Sequence, residues 1–205
     1  FIQLSDIIPQ ADIEIVDKII AVNNVPTSRE DSGLWVKEKS TYQKKKEVLD
    51  LYNEHVKPFV ETNLFGPSKT KKVKSCQIAY RFPGEGNEED NKYHIDNFTD
   101  KDLNRHKLPQ EFSVIVGICL SDTTEDNHGN FSVFPWSHHT IGKYCKDKGY
   151  EYLVQNGLKE MTETLKFDNE FQIKAKEGDI IIASRYLGHY ICAPNKSDKI
   201  RKIIW

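Results

Sequence analysis

The sequence predicts a mainly β protein, a jelly roll with amphipathic α-helices at its front, and three observations carry that prediction. Apolar residues recur at helical spacing mostly in the first third of the chain. From Lys74 the period drops to two, and short apolar runs separated by turn residues fill most of the remaining chain. Strands and helices do not alternate regularly, so a sandwich or barrel suits the chain better than a βαβ fold.

Residues 10–22 place Ile13, Val16, Ile19 and Ile20 on one helical face, and residues 41–62 repeat the pattern with Val48, Tyr52, Val56, Phe59 and Val60. Next along the chain, Cys76, Ile78, Tyr80 and Phe82 alternate with Gln77, Ala79 and Arg81 until Pro83-Gly84 ends the strand. Residues 112–120 (FSVIVGICL) are apolar on both faces, which predicts a strand covered from both sides. Further strands are expected at 130–134, 171–175, 179–183, 189–193 and 200–205, and a helical stretch from 144 to 165, with Gly157 as its break, interrupts them. There is no internal repeat. The basic run at 69–74 (KTKKVK) and the acidic loop at 85–91 (EGNEEDN) read as solvated loops. A single domain is expected over residues 1–205, with a helical part at 1–65 and a β core from 73 onward.

Composition narrows the function classes. With 38% hydrophobic residues, 3 Trp, 9 Tyr and 10 Phe, the chain can bury a core and is not a disordered segment. A formal charge of −2 sets up no field of one sign, so neither nucleic acid nor an anionic membrane is an expected partner. No apolar run approaches the ~20 residues of a membrane span, and no signal segment opens the chain. The four cysteines, Cys76, Cys119, Cys145 and Cys192, lack CxxC spacing and read as buried thiols of a reducing compartment, the cytoplasm. Because the chain opens on Phe1 and stops at Trp205 inside an apolar run, it is expected to be trimmed at its ends. Composition leaves its oligomeric state open.

Candidate chemistry begins with Tyr93-His94-Ile95-Asp96-Asn97, after the first strong strand. In extended backbone, residues two apart point to the same side, so His94 and Asp96 can present an imidazole and a carboxylate to one metal ion. His-x-Asp by itself is unspecific. A third ligand is available at 178–201 (GDIIIASRYLGHYICAPNKSDKIR), where an apolar strand and a loop deliver His189, and Arg201 follows twelve residues later. Two histidines and one carboxylate leave three positions open on a metal, the arrangement non-haem Fe(II) oxygenases need. The planar, permanently charged fork of Arg201 can hold a carboxylate bidentately in a poorly solvated pocket.

Taken together, His94-x-Asp96, the distal His189 and Arg201 resemble the signature of the phytanoyl-CoA dioxygenase-like group of Fe(II)/2-oxoglutarate-dependent oxygenases. Residues 129–138 (GNFSVFPWSH) are similar to that group's strand ending in Pro-Gly-Ser-His, and Asn195 and Ser197 fall where the group often has Asn and Ser before the arginine. The resemblance implies a double-stranded β-helix, the jelly-roll, cupin-like fold. It implies Fe(II) held by His94, Asp96 and His189 as the catalytic and metal residues, with 2-oxoglutarate as cosubstrate and O2 as oxidant. Arg201, Gln77 and Ser197 are implied on the cosubstrate side. The implied reaction hydroxylates a small-molecule substrate and releases succinate and CO2; related halogenases lack the carboxylate that Asp96 supplies here. Two departures stand out: Trp136 replaces the glycine of Pro-Gly-Ser-His, and Ile191 stands where many members carry a small hydroxyl residue.

Other residues receive plainer readings. His128, His138 and His139 are read as structural or surface groups, and His55 and His106 as solvent-exposed. Trp136 and Trp205 are read as packing residues, with Tyr80, Tyr93 and Arg185 as candidates for the substrate pocket. Two rival readings stay open: a cupin-type metalloenzyme that does not use 2-oxoglutarate, which leaves Arg201 unexplained, and a non-catalytic β-sandwich binding module, in which the triad is coincidental.

Overall fold

The computed structural model describes residues 1–22, 44–84, 93–96, 112–149, 152–153, 159–191 and 195–205. Its described strands form two antiparallel sheets. The larger takes β1 (Ile2–Leu4), β6 (Ile180–Ser184), β3 (Val114–Cys119), β8 (Arg201–Ile204) and β2 (Ile78–Arg81) in that spatial order. The smaller takes β5 (Phe171–Ile173), β4 (Phe131–Val133) and β7 (His189–Ile191). Strands far apart in sequence are thus neighbours, as when β8 pairs with β2 through Ile78 opposite Ile204 and Arg81 opposite Arg201.

Alternation along each strand divides its side chains between two cores. On β6, Ile180 and Ile182 face the helices while Ile181 and Ala183 face the smaller sheet. Helix α1 (Gln10–Val22) forms because Ile13, Val16 and Ile20 recur on one face and Asp12 sits in the first turn, where the helix dipole favours a negative charge. Those three side chains are 0–2% exposed, and each contributes about 2 kcal/mol of apolar burial. The second helical segment, Lys46–Asp50 (α2) and Lys57–Val60 (α3) with wider π-helical turns at Leu51–Val56 and Glu61–Phe65, adds Val48, Leu51, Val56 and Val60 to the same core. A second core lies between the sheets, built on Cys119, Phe131, Val133, Ile173, Ile181 and Ile203. A third covers the back of the smaller sheet, where Ile141 and Cys145 of α4 (Ser137–Lys148) and Met161 of α5 (Lys159–Thr164) pack on Phe134 and Tyr190.

The expected elements are present with shifts that have local causes. Helix α1 has the expected bounds, and the strands match to within two residues wherever they are described. The helix expected from residue 144 begins at Ser137, because Trp136 takes a left-handed conformation (φ 70°, ψ −12°) that turns the chain straight out of the β4 region. It ends at Gly149 (φ 78°), short of Gly157, which lies outside the described residues. Strand β1 is not expected from the sequence: three residues are too short for alternation to register, and pairing with β6 makes it a strand. Among the described residues no helix is long and apolar enough to cross a membrane. Cys119 and Cys145 are buried thiols, with burial pushing Cys119 up to about 12, while Cys76 is half-buried and Cys192 lies outside the described residues.

Candidate metal centre between the sheets

His189 opens β7 on its lumen-facing side, since it stands opposite Val133 of β4, whose side chain fills the inter-sheet core. His94 joins the free edge of that strand. Its N–H donates to the His189 carbonyl at 2.9 Å and its carbonyl accepts from the His189 N–H at 3.0 Å, so two residues 95 apart in sequence are clamped side by side. Ile95 points the other way and is 2% exposed in the core behind the smaller sheet, which leaves Asp96 on the same side as His94.

The three side chains meet. Their ligand atoms all lie within 4.8 Å of one another. Nε2 of His189 is 3.8 Å and Nε2 of His94 is 4.0 Å from Oδ1 of Asp96, and the imidazole rings are 4.5 Å apart. Among the described residues this is the one cluster of three or more such groups that could hold a metal ion. His189 Nδ1 lies 2.8 Å from the Leu187 carbonyl, which can only accept, so the proton belongs on Nδ1 and the lone pair on Nε2 faces the cluster. Partial burial, with His189 adding to it and Asp96 opposing, lowers the His94 pKa below its ordinary 6.5. For Asp96, burial favours the neutral acid, yet the neighbouring His189 and His94 outweigh it and hold the carboxyl below its ordinary 3.8. Two imidazoles and a carboxylate form a donor set that would suit a first-row divalent metal.

Arg201 starts β8 and faces the same inter-sheet space, 3% exposed. Neither Nη1 nor Nη2 has a hydrogen-bond partner among the described residues. Burial, with the like charge of Arg81 adding to it, lowers its pKa to about 10, which leaves it charged at neutral pH. Arg81, opposite it on β2, shares that face. Gly129 (φ +73°) lies over both stems, and a Cβ there would sit 3.1 Å from Arg81 Cγ and 3.3 Å from Arg201 Cβ. A buried guanidinium without an acceptor fits a carboxylate ligand.

Around these groups the other candidate residues take varied places. Gln77 pairs with Trp205 through two backbone bonds (2.8 and 2.7 Å) on the lumen face, and it lines a groove of about 840 Å3 that also touches Asp96, Phe112, Ile115 and Trp205. Ser197 donates to Asn195 Oδ1 at 2.7 Å, and Asn195 in turn donates to the Arg81 and Lys199 carbonyls, so this pair shapes the turn leading into β8. Ile191 lines the lumen opposite Phe131. Trp205 packs on Phe131 (4.7 Å between rings) as expected. Trp136 does not pack into a core: it is 73% exposed and among the described residues stacks on His138 and His139, because its left-handed backbone aims it outward. His55 is held 2.9 Å from Asp12 instead of standing free in solvent. Tyr93 is not a pocket residue, since its hydroxyl donates to the Leu165 carbonyl (3.0 Å) and its ring packs on Phe134 and Phe167 behind the smaller sheet. Tyr80 packs against the helical core, and Arg185 lies over the Tyr186 ring. His128 donates its backbone N–H to Asn130 Oδ1, and His106 lies outside the described residues. Two participants are not evident in the sequence: the Leu187 carbonyl, which no residue type marks, and Arg81, whose place two and four positions from Ala79 and Gln77 puts it on the lumen face.

Similarity to known proteins lies in structure alone. No family model matches the sequence, and no curated protein matches it. The non-haem alpha-ketoglutarate-dependent carbocyclase SnoK from nogalamycin biosynthesis superposes with a TM-score of 0.58 at 12% identity, covering 99% of this chain and 76% of that one. The product of GlcNAc Inducible Gene 2 of Candida albicans gives 0.61 at 12% identity, covering 98% of this chain and 59% of that one, so this chain spans less than two thirds of its length. HygX of Streptomyces hygroscopicus, solved with nickel and 2-oxoglutarate bound, gives 0.50 at 11% identity over 99% and 78%. The chain is a double-stranded β-helix. In this double-stranded β-helix the candidate triad and Arg201 both face the space between the two sheets.

Proposed function

We propose that this protein is a non-haem Fe(II)- and 2-oxoglutarate-dependent oxygenase that hydroxylates a small-molecule substrate, with His94, Asp96 and His189 as its metal ligands. The observation that carries this reading is the pairing, in one inter-sheet space, of a two-histidine, one-carboxylate cluster with a buried guanidinium that has no partner among the described residues. The resemblance to the phytanoyl-CoA dioxygenase-like group, on residues 94–96, 129–138, 189 and 195–201, supports the same reading.

When bound, iron with 2-oxoglutarate and O2 supplies the oxidising chemistry, consuming the cosubstrate to succinate and CO2 as a substrate C–H bond becomes C–OH. The residues of the chain do the positioning. His94, Asp96 and His189 would hold the metal through two imidazole nitrogens and a carboxylate oxygen. Arg201 would hold a carboxylate of the cosubstrate, with Gln77 on the neighbouring strand as a second polar contact. Phe131, Ile191 and Trp205 would supply apolar walls to the same space.

Anaerobic addition of 2-oxoglutarate to the Fe(II)-loaded protein is expected to perturb the metal's absorption, and admitting O2 is expected to release succinate. Loss of both responses, with iron still bound, would reject the oxygenase in favour of a cupin-type metalloenzyme. Failure of the wild-type protein to bind any divalent metal would leave only the binding module. His94→Ala is expected to abolish metal binding without unfolding the chain, since its side chain is 55% exposed.

A further inference from the structure

The segment Pro135-Trp136-Ser137-His138 has no part in the metal or cosubstrate assignments, yet one of its members is tied to the distal ligand. Ser137 is 1% exposed, and its hydroxyl oxygen accepts the Gly188 N–H at 2.9 Å. Gly188 immediately precedes His189. Its carbonyl accepts the Phe134 N–H at 2.9 Å, so one residue is held at both its backbone groups by the segment leaving β4. The preceding residue supplies the carbonyl that holds His189 Nδ1 at 2.8 Å, and the Leu187 N–H is itself anchored on the Ser184 carbonyl at 2.9 Å.

The packing leaves this turn little slack. A Cβ at Gly188 would lie 3.1 Å from Tyr93 Cδ2, 3.3 Å from Ile141 Cδ1 and 3.3 Å from Ser137 Oγ. The left-handed turn at Trp136 sends residue 136 outward and residue 137 inward, so that the hydroxyl reaches Gly188. Without an acceptor from Ser137, the buried Gly188 N–H would be orphaned, and a buried unpaired donor drives the local backbone to rearrange. The Leu187 carbonyl, two bonds from that amide nitrogen, would move with it.

We infer that Ser137 is a positioning residue for the metal centre: by holding Gly188 it aims the Leu187 carbonyl at His189 Nδ1 and so presents Nε2 to the metal. This inference rests on the proposed metal role of His189, but its first readout needs no metal. Losing the hydrogen bond that orients a ligating histidine, here the one to the Leu187 carbonyl, alters metal affinity by about 10–100-fold.

The test compares wild type with Ser137→Ala, Ser137→Cys, which fills the site with a somewhat larger group that accepts hydrogen bonds weakly, and Ser137→Thr, which keeps the hydroxyl. In metal-free protein near pH 8, long-range 1H–15N correlation spectra should show His189 of wild type and Ser137→Thr protonated at Nδ1, and a tautomer mixture in Ser137→Ala and Ser137→Cys. Calorimetric titration with Co(II) should show affinity at least 10-fold weaker in those two variants and within about 2-fold of wild type in Ser137→Thr. If Ser137→Ala does not fold, the Cys variant decides. An unchanged His189 tautomer together with wild-type Co(II) affinity in Ser137→Cys would overturn the inference and leave the hydroxyl a stability group only. Should wild type bind no Co(II), the metal reading fails, while the tautomer comparison still decides whether Ser137 orients His189.

Discussion

Replacing Arg201 with methionine should stabilise the protein while abolishing its response to 2-oxoglutarate. The guanidinium is 3% exposed, and its pKa is lowered from 12.5 to about 10, chiefly by burial. Each pKa unit corresponds to about 1.4 kcal/mol, so burying this charge costs about 3 kcal/mol. Methionine is unbranched, lacks the charge and fills much the same space, giving back part of that cost against imperfect packing. We expect Arg201→Met to gain about 1–3 kcal/mol, or about 3–10 °C in Tm for a chain of this size. The sign against pH comes from the direction of the shift. A base with a depressed folded pKa carries its full cost wherever it is charged, so the difference between the proteins should be flat from pH 7 to 9. It should narrow above about pH 10, where the folded protein releases the proton. The assay is urea unfolding of both proteins without metal, then with Fe(II) and a saturating series of 2-oxoglutarate under argon. Wild type should gain stability as RT ln(1 + [L]/Kd) and the variant should not. A variant less stable than wild type by more than about 1 kcal/mol would mean that Arg201 is a satisfied structural group. A variant protected equally by 2-oxoglutarate would mean that its carboxylate is held elsewhere.

Three further outcomes can be measured by chemical or thermal unfolding. Trp136→Gly should gain about 0.5–1 kcal/mol, because φ 70° is costly for a bulky side chain and free for glycine, while the indole is 73% exposed; a loss would show that the stack on His138 and His139 matters more than the backbone. Gly117→Ala should lose about 1–3 kcal/mol, since the new methyl would meet Trp205 Cζ3 at 2.6 Å and Ile203 Cδ1 at 3.0 Å; a neutral result would mean that the indole has room to retreat. Metal-free His94→Gln should resist acid better than wild type: the depressed pKa of His94 makes folding lose stability as pH falls through 6.5, and glutamine removes that contribution. Urea midpoints at pH 7.5 and 5.5 check it, and equal losses in both proteins would discount His94 as the cause.

Much of the fold is readable because its signals are local. Ile13, Val16 and Ile20 mark one helical face whatever they pack against, and residues 114–119 are apolar on both sides because helices cover one face and the smaller sheet the other. The candidate site is readable for a related reason, since His94 and Asp96 depend only on the two-residue period of extended chain, and imidazole, carboxylate and guanidinium announce their chemistry by type. Trp136 departs from its expected packing role because side-chain type predicts burial only when the backbone allows it, and a left-handed turn points the indole outward. Strand β1 and the Asp12–His55 pair are invisible in the sequence because each is made by a distant segment.

By itself, then, the sequence determined which residue types stand at period-two and period-3.6 positions, and hence the strands, the front helices and the identity of the donor groups. Only the tertiary structure decided that β7 lies beside residues 93–96 and β8 beside β2, pairings that bring His189 to His94 and Arg201 to Arg81. It also decided that Ser137 reaches Gly188 and that Arg201 is left with no partner among the described residues. The physical reason is that register and sheet order are settled by burying both faces of every strand at once, a condition on the whole chain that no local window contains.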